Sequence, residues 1–345
     1  MRPLLSICIP TLNRPEFLLQ ALESIALEKD AAEHIEICIS NNGSESDYSK
    51  VEARIASLST SLDIKYIRHQ PRIPLDQNHH FVKKLATSEY IYFLGDDDFF
   101  LRGSLGKLLS FISEKKPDLA IFNGLLVDAR NQYLGKHFNL PAKHYVSAED
   151  AFVDLKDKGS FGSVLARVDM LSDADFERLY ETDHAYGCYW LAIFRMYAQG
   201  TPINVFVPDF PCVALRCAEK SYNHIYVYFG KIPHWMEIHR QLVPPGGLQK
   251  LMYAHAAASN GTNESFRFLL HLAGSGNNLD LIRTADAAFY KKHRLKITLC
   301  KYLAASPVYR LLRNINHMRS AKRSRQIPEE ERTTINQLLS LADKS

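Results

Sequence analysis

Tyr90-Ile91-Tyr92-Phe93-Leu94-Gly95-Asp96-Asp97-Asp98 is an apolar run that stops abruptly at three consecutive carboxylates. An unbroken row of β-branched and aromatic residues predicts a strand interior. Three adjacent acids repel one another unless a cation or hydrogen-bond donors stand among them. The stretch therefore predicts a strand whose carboxyl end is a candidate metal site, with a solvated acidic turn as the plain alternative.

The segments before it alternate in kind. Leu4 to Ile9 is a continuous apolar strand, Pro10-Thr11-Leu12-Asn13-Arg14-Pro15 turns the chain, and Phe17, Leu18, Ala21, Leu22 and Ile25 recur at helical spacing. Ile35 to Ser40 is a second strand, Asn41 to Ser44 a turn, Val51 to Leu58 a helix and Ile64 to Ile67 a third strand. Phe81 to Leu85 belongs to a short helix, so Tyr90 to Leu94 is the fourth strand. Strands separated by helices predict an α/β fold with a mainly parallel sheet, because parallel neighbours need crossover connections. Ligands of such sheets collect at the carboxyl ends of the strands. The loops Pro10 to Arg14, Ser40 to Ser44 and Gly95 to Asp98 should then share one rim.

No G-x-G-x-x-G or G-x-x-x-x-G-K-[ST] follows the first strand, which argues against a dinucleotide-binding oxidoreductase and a P-loop NTPase. Beyond the acids, Leu105 to Ile112 reads as a helix, Leu119 to Phe122 as a fifth strand, and Gly124 to Leu134 as a hairpin turning near Asn131. Ala148 to Leu155 reads as a helix, and Ser163 to Val168, Val205 to Val207 and Val213 to Leu215 as strands. From Tyr222 onward the pattern is helical. This predicts a sheet domain over 1–220 and a helical C-terminal region over 221–345.

Composition bounds the partners. The 345 residues include 46% hydrophobic and 11% aromatic side chains, enough for a sizeable core. Lys and Arg number 42 against 38 Asp and Glu, a balance that does not imply a nucleic-acid partner. Cys8, Cys38, Cys188, Cys212, Cys217 and Cys300 include no C-x-x-C pair and predict buried thiols of a reducing compartment. No signal peptide is evident and no stretch approaches the ~18 apolar residues that span a bilayer. The expected location is the cytoplasm, with peripheral contact at the inner face of the membrane.

Ser6 to Arg14 at the first strand, Ile39 to Ser44 at the second and Glu89 to Asp98 at the fourth, in that order, resemble the family-two glycosyltransferases of GT-A fold over roughly residues 3 to 220. The Gly-Asp-Asp-Asp form is most similar to bacterial transferases of surface-polysaccharide assembly, including abequosyltransferase-like members. The resemblance implies transfer of a sugar from a nucleoside diphosphate donor, with Mg²⁺ or Mn²⁺ at the acidic motif and inversion at the anomeric carbon. Such ions prefer hard oxygen ligands and are held by one or two carboxylates plus phosphates and waters.

The family pattern places an acid where this chain has Gly95. Aligned so, Asp97 is the metal ligand, Asp96 lies near the donor ribose and Asp98 is a supporting contact. A D-x-D alignment makes Asp96 and Asp98 the pair instead. Pro10, Thr11, Asn13 and Arg14 match the nucleotide-binding turn. Asn41 and Asn42 stand where the family has two acids, and Asn offers both donor and acceptor to a base. Arg72 and Asn78 fall in the region of further donor contacts, Asn78 being equally a helix cap. Arg216 and Ser221 match the loop that closes over the diphosphate.

An inverting transferase needs a general base for the acceptor hydroxyl. Asp183 is the positional candidate, with Glu181 and His184 beside it; Asp183 or Thr182 as a helix N-cap is the plain alternative. Basic residues interleaved with apolar ones toward the C-terminus suit an anionic membrane surface and so a glycan or lipid-linked oligosaccharide acceptor. Two other readings stand beside this one: a non-catalytic nucleotide- or sugar-binding module on a degenerate GT-A fold, and a nucleotidyltransferase, which would carry a Gly-rich basic loop after the first strand.

Overall fold

The structure is a computed structural model and describes residues 2–155, 158, 162–180, 203–217, 229, 246, 250, 265–274, 277–309, 311 and 329–340. The chain divides into two units, one made of Met1–Ala218 with Pro328–Ser345 and the other of Glu219–Ile327.

The first unit opens with β1 (Leu5–Thr11), α1 (Pro15–Ala26), β2 (Ile35–Asn41), α2 (Ser49–Leu58), β3 (Asp63–Arg68), α3 (Leu75–Leu85) and β4 (Tyr90–Phe93). It continues with β5 (Phe99–Phe100), α4 (Ser104–Lys115), β6 (Leu119–Ile121), β7 (Gly124–Val127), β8 (Tyr133–Lys136), β9 (Lys143–Tyr145), α5 (Ala148–Leu155), β10 (Val164–Arg167), α6 (Asp173–Tyr180), β11 (Val205–Val207) and β12 (Val213–Arg216). Eight strands form one sheet in the order β3-β2-β1-β4-β10-β6-β11-β9, and four form a second in the order β5-β12-β7-β8. In the larger sheet β3, β2, β1 and β4 run parallel. β10 inserts antiparallel between β4 and β6.

The parallel half follows from the apolar runs. Every residue of β1 and β2 is buried, as a strand covered on both faces requires. Leu5, Ile7 and Ile9 of β1 and Ile37 and Ile39 of β2 share a core with Leu18, Leu22 and Ile25 of α1. The alternate residue Cys8 points the other way, where its thiol meets the Val82 carbonyl of α3 at 3.7 Å. Each Leu or Ile so buried stabilises by roughly 1.5–3 kcal/mol. Pro15 opens α1 at a position where its missing N–H removes no helical bond.

Near the amino ends of the strands lies a buried polar cluster. Glu36 is fully buried and accepts hydrogen bonds from Ser6 Oγ, the Thr87 and Ser88 N–H groups and Lys65 Nζ. Burial pushes its carboxyl up, but these donors outweigh it and hold it below the ordinary carboxylate range.

In the second unit, Phe266–Gly274 and Ala287–Ala305 are helices. Leu269 and Leu272 of the first pack with Ile297 and Cys300 of the second, together with Phe229, Leu279 and Ile282. Asp286 caps the second helix by accepting from the Phe289 N–H at 2.8 Å.

Candidate active site

β1, β2 and β4 end on one rim because they run parallel in near register, Pro10 pairing Ser40 and Cys8 pairing Phe93. Their three following loops therefore meet. Asp96 Oδ2 accepts from Thr11 Oγ1 at 2.9 Å and from the Leu12 N–H at 3.2 Å. Arg14 Nη1 bridges Asp96 Oδ1 at 3.0 Å and Asp97 Oδ2 at 2.9 Å. Tyr48 steadies the first loop: its hydroxyl bonds Thr11 Oγ1 at 2.8 Å and accepts from the Arg14 N–H at 3.1 Å.

Asn13 adopts a left-handed conformation, φ 56°, which asparagine tolerates better than most residues. It joins the first two loops. Its backbone N–H donates to Ser44 Oγ at 2.8 Å, and its side-chain Oδ1 accepts from the Glu45 N–H at 2.8 Å. In the second loop, Asn41 accepts from the Ser44 N–H and donates to the Tyr66 hydroxyl, each at 3.0 Å. Asn42 exchanges two bonds with the Ile73 backbone, each at 2.9 Å. Gly43, at φ 66°, leaves space for no side chain, since a Cβ there would stand 3.1 Å from Arg72 N and His69 O. Arg72 thus lies beside this loop, and its own side chain is exposed.

Asn78 is buried within α3, which begins four residues after the cis Gln70–Pro71 bond and is capped at Pro74. It does not cap the helix. It accepts from Ser40 Oγ at 2.6 Å and donates to the Ser40 carbonyl at 3.2 Å, tying α3 to the end of β2.

Asp98 turns away from Arg14. Its Oδ1 accepts from the Arg216 N–H at 2.9 Å, an arrangement produced by β5, which follows Asp98 directly and pairs with β12. The Arg216 guanidinium is taken up by the protein: Nε donates to the Asp97 carbonyl at 2.8 Å, Nη2 to Gln20 Oε1 at 3.0 Å and Nη1 to Asn131 Oδ1. It also stacks over Phe17, 4.4 Å from the ring centre. Phe17 and Gln20 are one turn apart on α1 and so reach the same group. Arg216, expected at a diphosphate, is found 8% exposed behind the acidic loop.

The electrostatics of the three acids are unbalanced. Burial and, against it, the Arg14 charge set Asp96 at about 6, with Asp97 pushing further upward. Burial and the adjacent Asp97 charge push Asp98 well above the carboxylate range. A Cβ on Gly95 would stand 2.6 Å from Asp98 Oδ2 and 3.1 Å from Asp97 Oδ1, so these two oxygens converge on the bare face of that glycine. Among the described residues no group of three or more His, Cys, Asp or Glu side chains is already arranged around an ion. Two convergent hard oxygens do fit Mg²⁺ or Mn²⁺ completed by phosphates and waters.

Tyr48, Gln20 and Asn131 support the site without a signal in the sequence that marks them for it. Asn131 carried a turn signal only, and nothing in the helical spacing of α1 distinguishes Gln20. Glu181, Asp183, His184 and Ser221 lie outside the described residues.

Residues 6–163 match the family described as glycosyl transferase family 2. Abequosyltransferase RfbV of Salmonella typhimurium is 32% identical over 112 residues, 32% of this chain and 33% of that protein. The GalNAc(5)-diNAcBac-PP-undecaprenol beta-1,3-glucosyltransferase of Campylobacter jejuni is 29% identical over 171 residues, 48% of this chain and 52% of that protein. The chain spans between about a third and a half of the length of these curated relatives. The crystal structure of S. aureus TarS 1-349 in complex with UDP-GlcNAc superposes with a TM-score of 0.57 at 13% identity, covering 88% of this chain and 90% of that one. That likeness concerns fold, and it gives the sheet described above its GT-A form. Residues 6–163, and with them the strands that carry the acidic loop, are thus similar to glycosyl transferase family 2.

Proposed function

We propose that this chain is an inverting, metal-dependent glycosyltransferase of bacterial surface-polysaccharide assembly. It would move a sugar from a nucleoside diphosphate donor to a glycan or lipid-linked oligosaccharide. The observation that carries the reading is the meeting of three strand-end loops, the first two joined through Asn13 and the first tied to the acidic loop by Thr11 and by Arg14, which bridges Asp96 and Asp97. Similarity to two curated transferases supports it.

In this reading Asp97 and Asp98, whose oxygens converge at Gly95, would hold Mg²⁺ or Mn²⁺, with Asp96 facing the ribose. Bound there, the ion would supply Lewis-acid stabilisation of the departing diphosphate. Pro10, Thr11, Asn13 and Arg14 form the nucleotide cradle, bounded by Asn41 and Arg72, while Asn78 fixes the second loop from behind. Arg216 is a positioning residue that acts through Asp97 and Asp98. Asp183, or in its place Glu181 or His184, takes the proton of the acceptor hydroxyl as its oxygen attacks the anomeric carbon opposite the leaving group. Inversion then needs no protein nucleophile.

A lipid-linked acceptor places the protein at the inner face of the cytoplasmic membrane, the sheet unit acting on the donor and the helical region serving the acceptor. The test is a panel of uridine, cytidine, thymidine and guanosine diphosphate sugars with the purified chain, with and without Mn²⁺, read by thermal shift and by release of nucleoside diphosphate. Mn²⁺-dependent release with one donor class supports the reading. Nucleotide binding without release across many acceptors would favour the non-catalytic module.

A further inference from the structure

The helix Ala287–Ala305 presents apolar side chains in two opposite directions. It is interrupted at His293 (φ −114°, ψ 17°) and runs regularly from there to Ala305. Ile297 and Cys300 are fully buried in the core of the second unit. On the opposite side, spaced four and three residues apart, Leu295 is 87% exposed, Leu299 52% and Tyr302 75%. Leu303 is exposed as well, and Val308 and Leu311, which follow the helix end at Ser306, are further exposed apolar residues. Six of the eleven exposed large hydrophobic side chains among the described residues fall between 295 and 311. A helix at the edge of a water-soluble bundle carries polar residues on that side, so the row marks an interaction surface.

Charge decides what the surface takes. From Ala287 to Pro328 the sequence has eleven Lys and Arg and no Asp or Glu. The remainder of the chain has 31 Lys and Arg against 38 Asp and Glu. Lys291, Lys292 and Arg294 are exposed beside the apolar row. A second copy meeting this face would bring a second segment of the same sign against it. Nucleic acid would leave Leu295, Leu299, Val308 and Leu311 against phosphates. An anionic bilayer meets both requirements: aliphatic side chains enter the acyl boundary, the cations meet the headgroups, and Tyr302 suits the interface between them.

We propose that the outward side of this helix from Leu295 to Leu303, with the exposed apolar residues that follow it to Leu311, is a docking surface for an anionic phospholipid bilayer, with the helix lying in the membrane plane. The proposal specifies the surface behind the membrane-face reading above, and it does not depend on sugar transfer.

The test is co-sedimentation of the full chain with unilamellar vesicles, without donor or metal. Vesicles of phosphatidylglycerol and phosphatidylcholine should bind the protein and pure phosphatidylcholine should bind it weakly, the difference shrinking at 0.5 M salt. Replacing Leu295, Leu299 and Tyr302 together by Ser should weaken binding at least ~10-fold. Replacing Lys291, Lys292 and Arg294 by Gln should weaken it about 5-fold per cation. These side chains are exposed, so the variants should keep the wild-type melting temperature. Absence of binding to anionic vesicles at low salt overturns the proposal, as does binding that the Ser variant leaves unchanged. Sedimentation showing a wild-type dimer that the Ser variant dissociates would assign the face to self-association instead. Vesicle binding with no nucleoside diphosphate release would retain this surface while removing the transferase reading.

Discussion

Arg14 Nη1 stands 2.9 Å from Asp97 Oδ2 while it also holds Asp96, so one guanidinium neutralises two of the three acids. A divalent ion at Asp97 has to share that carboxylate with Arg14 or displace it. Arg14→Gln should destabilise the protein by about 1–3 kcal/mol, because hydrogen bonds to charged, largely buried acceptors are lost. The melting temperature should fall by several degrees. Added Mn²⁺ should raise it more in the variant than in the wild type, as read by differential scanning fluorimetry. Equal Mn²⁺ shifts would show that Arg14 and the ion do not compete.

Asp97→Asn should cost about 10²-fold or more in transfer, measured as nucleoside diphosphate release at saturating donor. It should also abolish the Mn²⁺-dependent thermal shift while leaving the fold intact. Full activity in this variant would remove Asp97 from the metal site.

Gly95→Ala should lower activity at least ~10-fold, since its methyl would meet Asp98 Oδ2 and push the carboxylate off the Arg216 N–H. A stability loss of about 1–3 kcal/mol should accompany it, the usual cost of an extra methyl in a filled site. Wild-type activity in Gly95→Ala would mean that Asp98 can relocate without consequence.

The pair of buried Glu36 and partly exposed Lys65 gives a pH signature. Glu36 titrates below its ordinary value in the folded state, so its contribution is present above about pH 4.3 and is lost as pH falls through the folded value. Lys65 is desolvated, but its bonds to Glu36 raise it above its ordinary value, so its contribution is present below about pH 10.4 and is lost above its folded value. Lys65→Met should therefore cost about 2 kcal/mol at pH 7, between the exposed and fully buried cases, by urea unfolding. The cost should shrink once Glu36 is protonated. A penalty independent of pH would mean that lost packing, and not charge, is responsible.

The parallel half of the sheet was legible because burial on both faces forces uninterrupted apolar runs, as in Leu5–Thr11 and Ile35–Asn41. The convergence of the Pro10, Asn41 and Gly95 loops followed from that geometry alone. β5 was not legible, since two residues, Phe99 and Phe100, have no periodicity. Without β5 the link from Asp98 to Arg216 could not be seen, and Arg216 was expected against phosphate because an arginine after a strand says nothing of its partners. The place of Asn78 inside α3, and so the loss of its cap alternative, was not legible because α3 starts at Leu75, earlier than its apolar residues suggest. Gln20 and Arg216 lie 196 residues apart, and no local pattern couples them.

That separation has a consequence for how the protein is made. β1, β2 and β4 can pair once residue 93 has emerged from the ribosome, and Arg14 can reach Asp96 and Asp97 three or four residues later. Asp98 must wait for Arg216, which follows it by 118 residues. A nascent or truncated chain ending before β12 would thus display its acids without the clasp that orients them, and the sheet would precede the site in time.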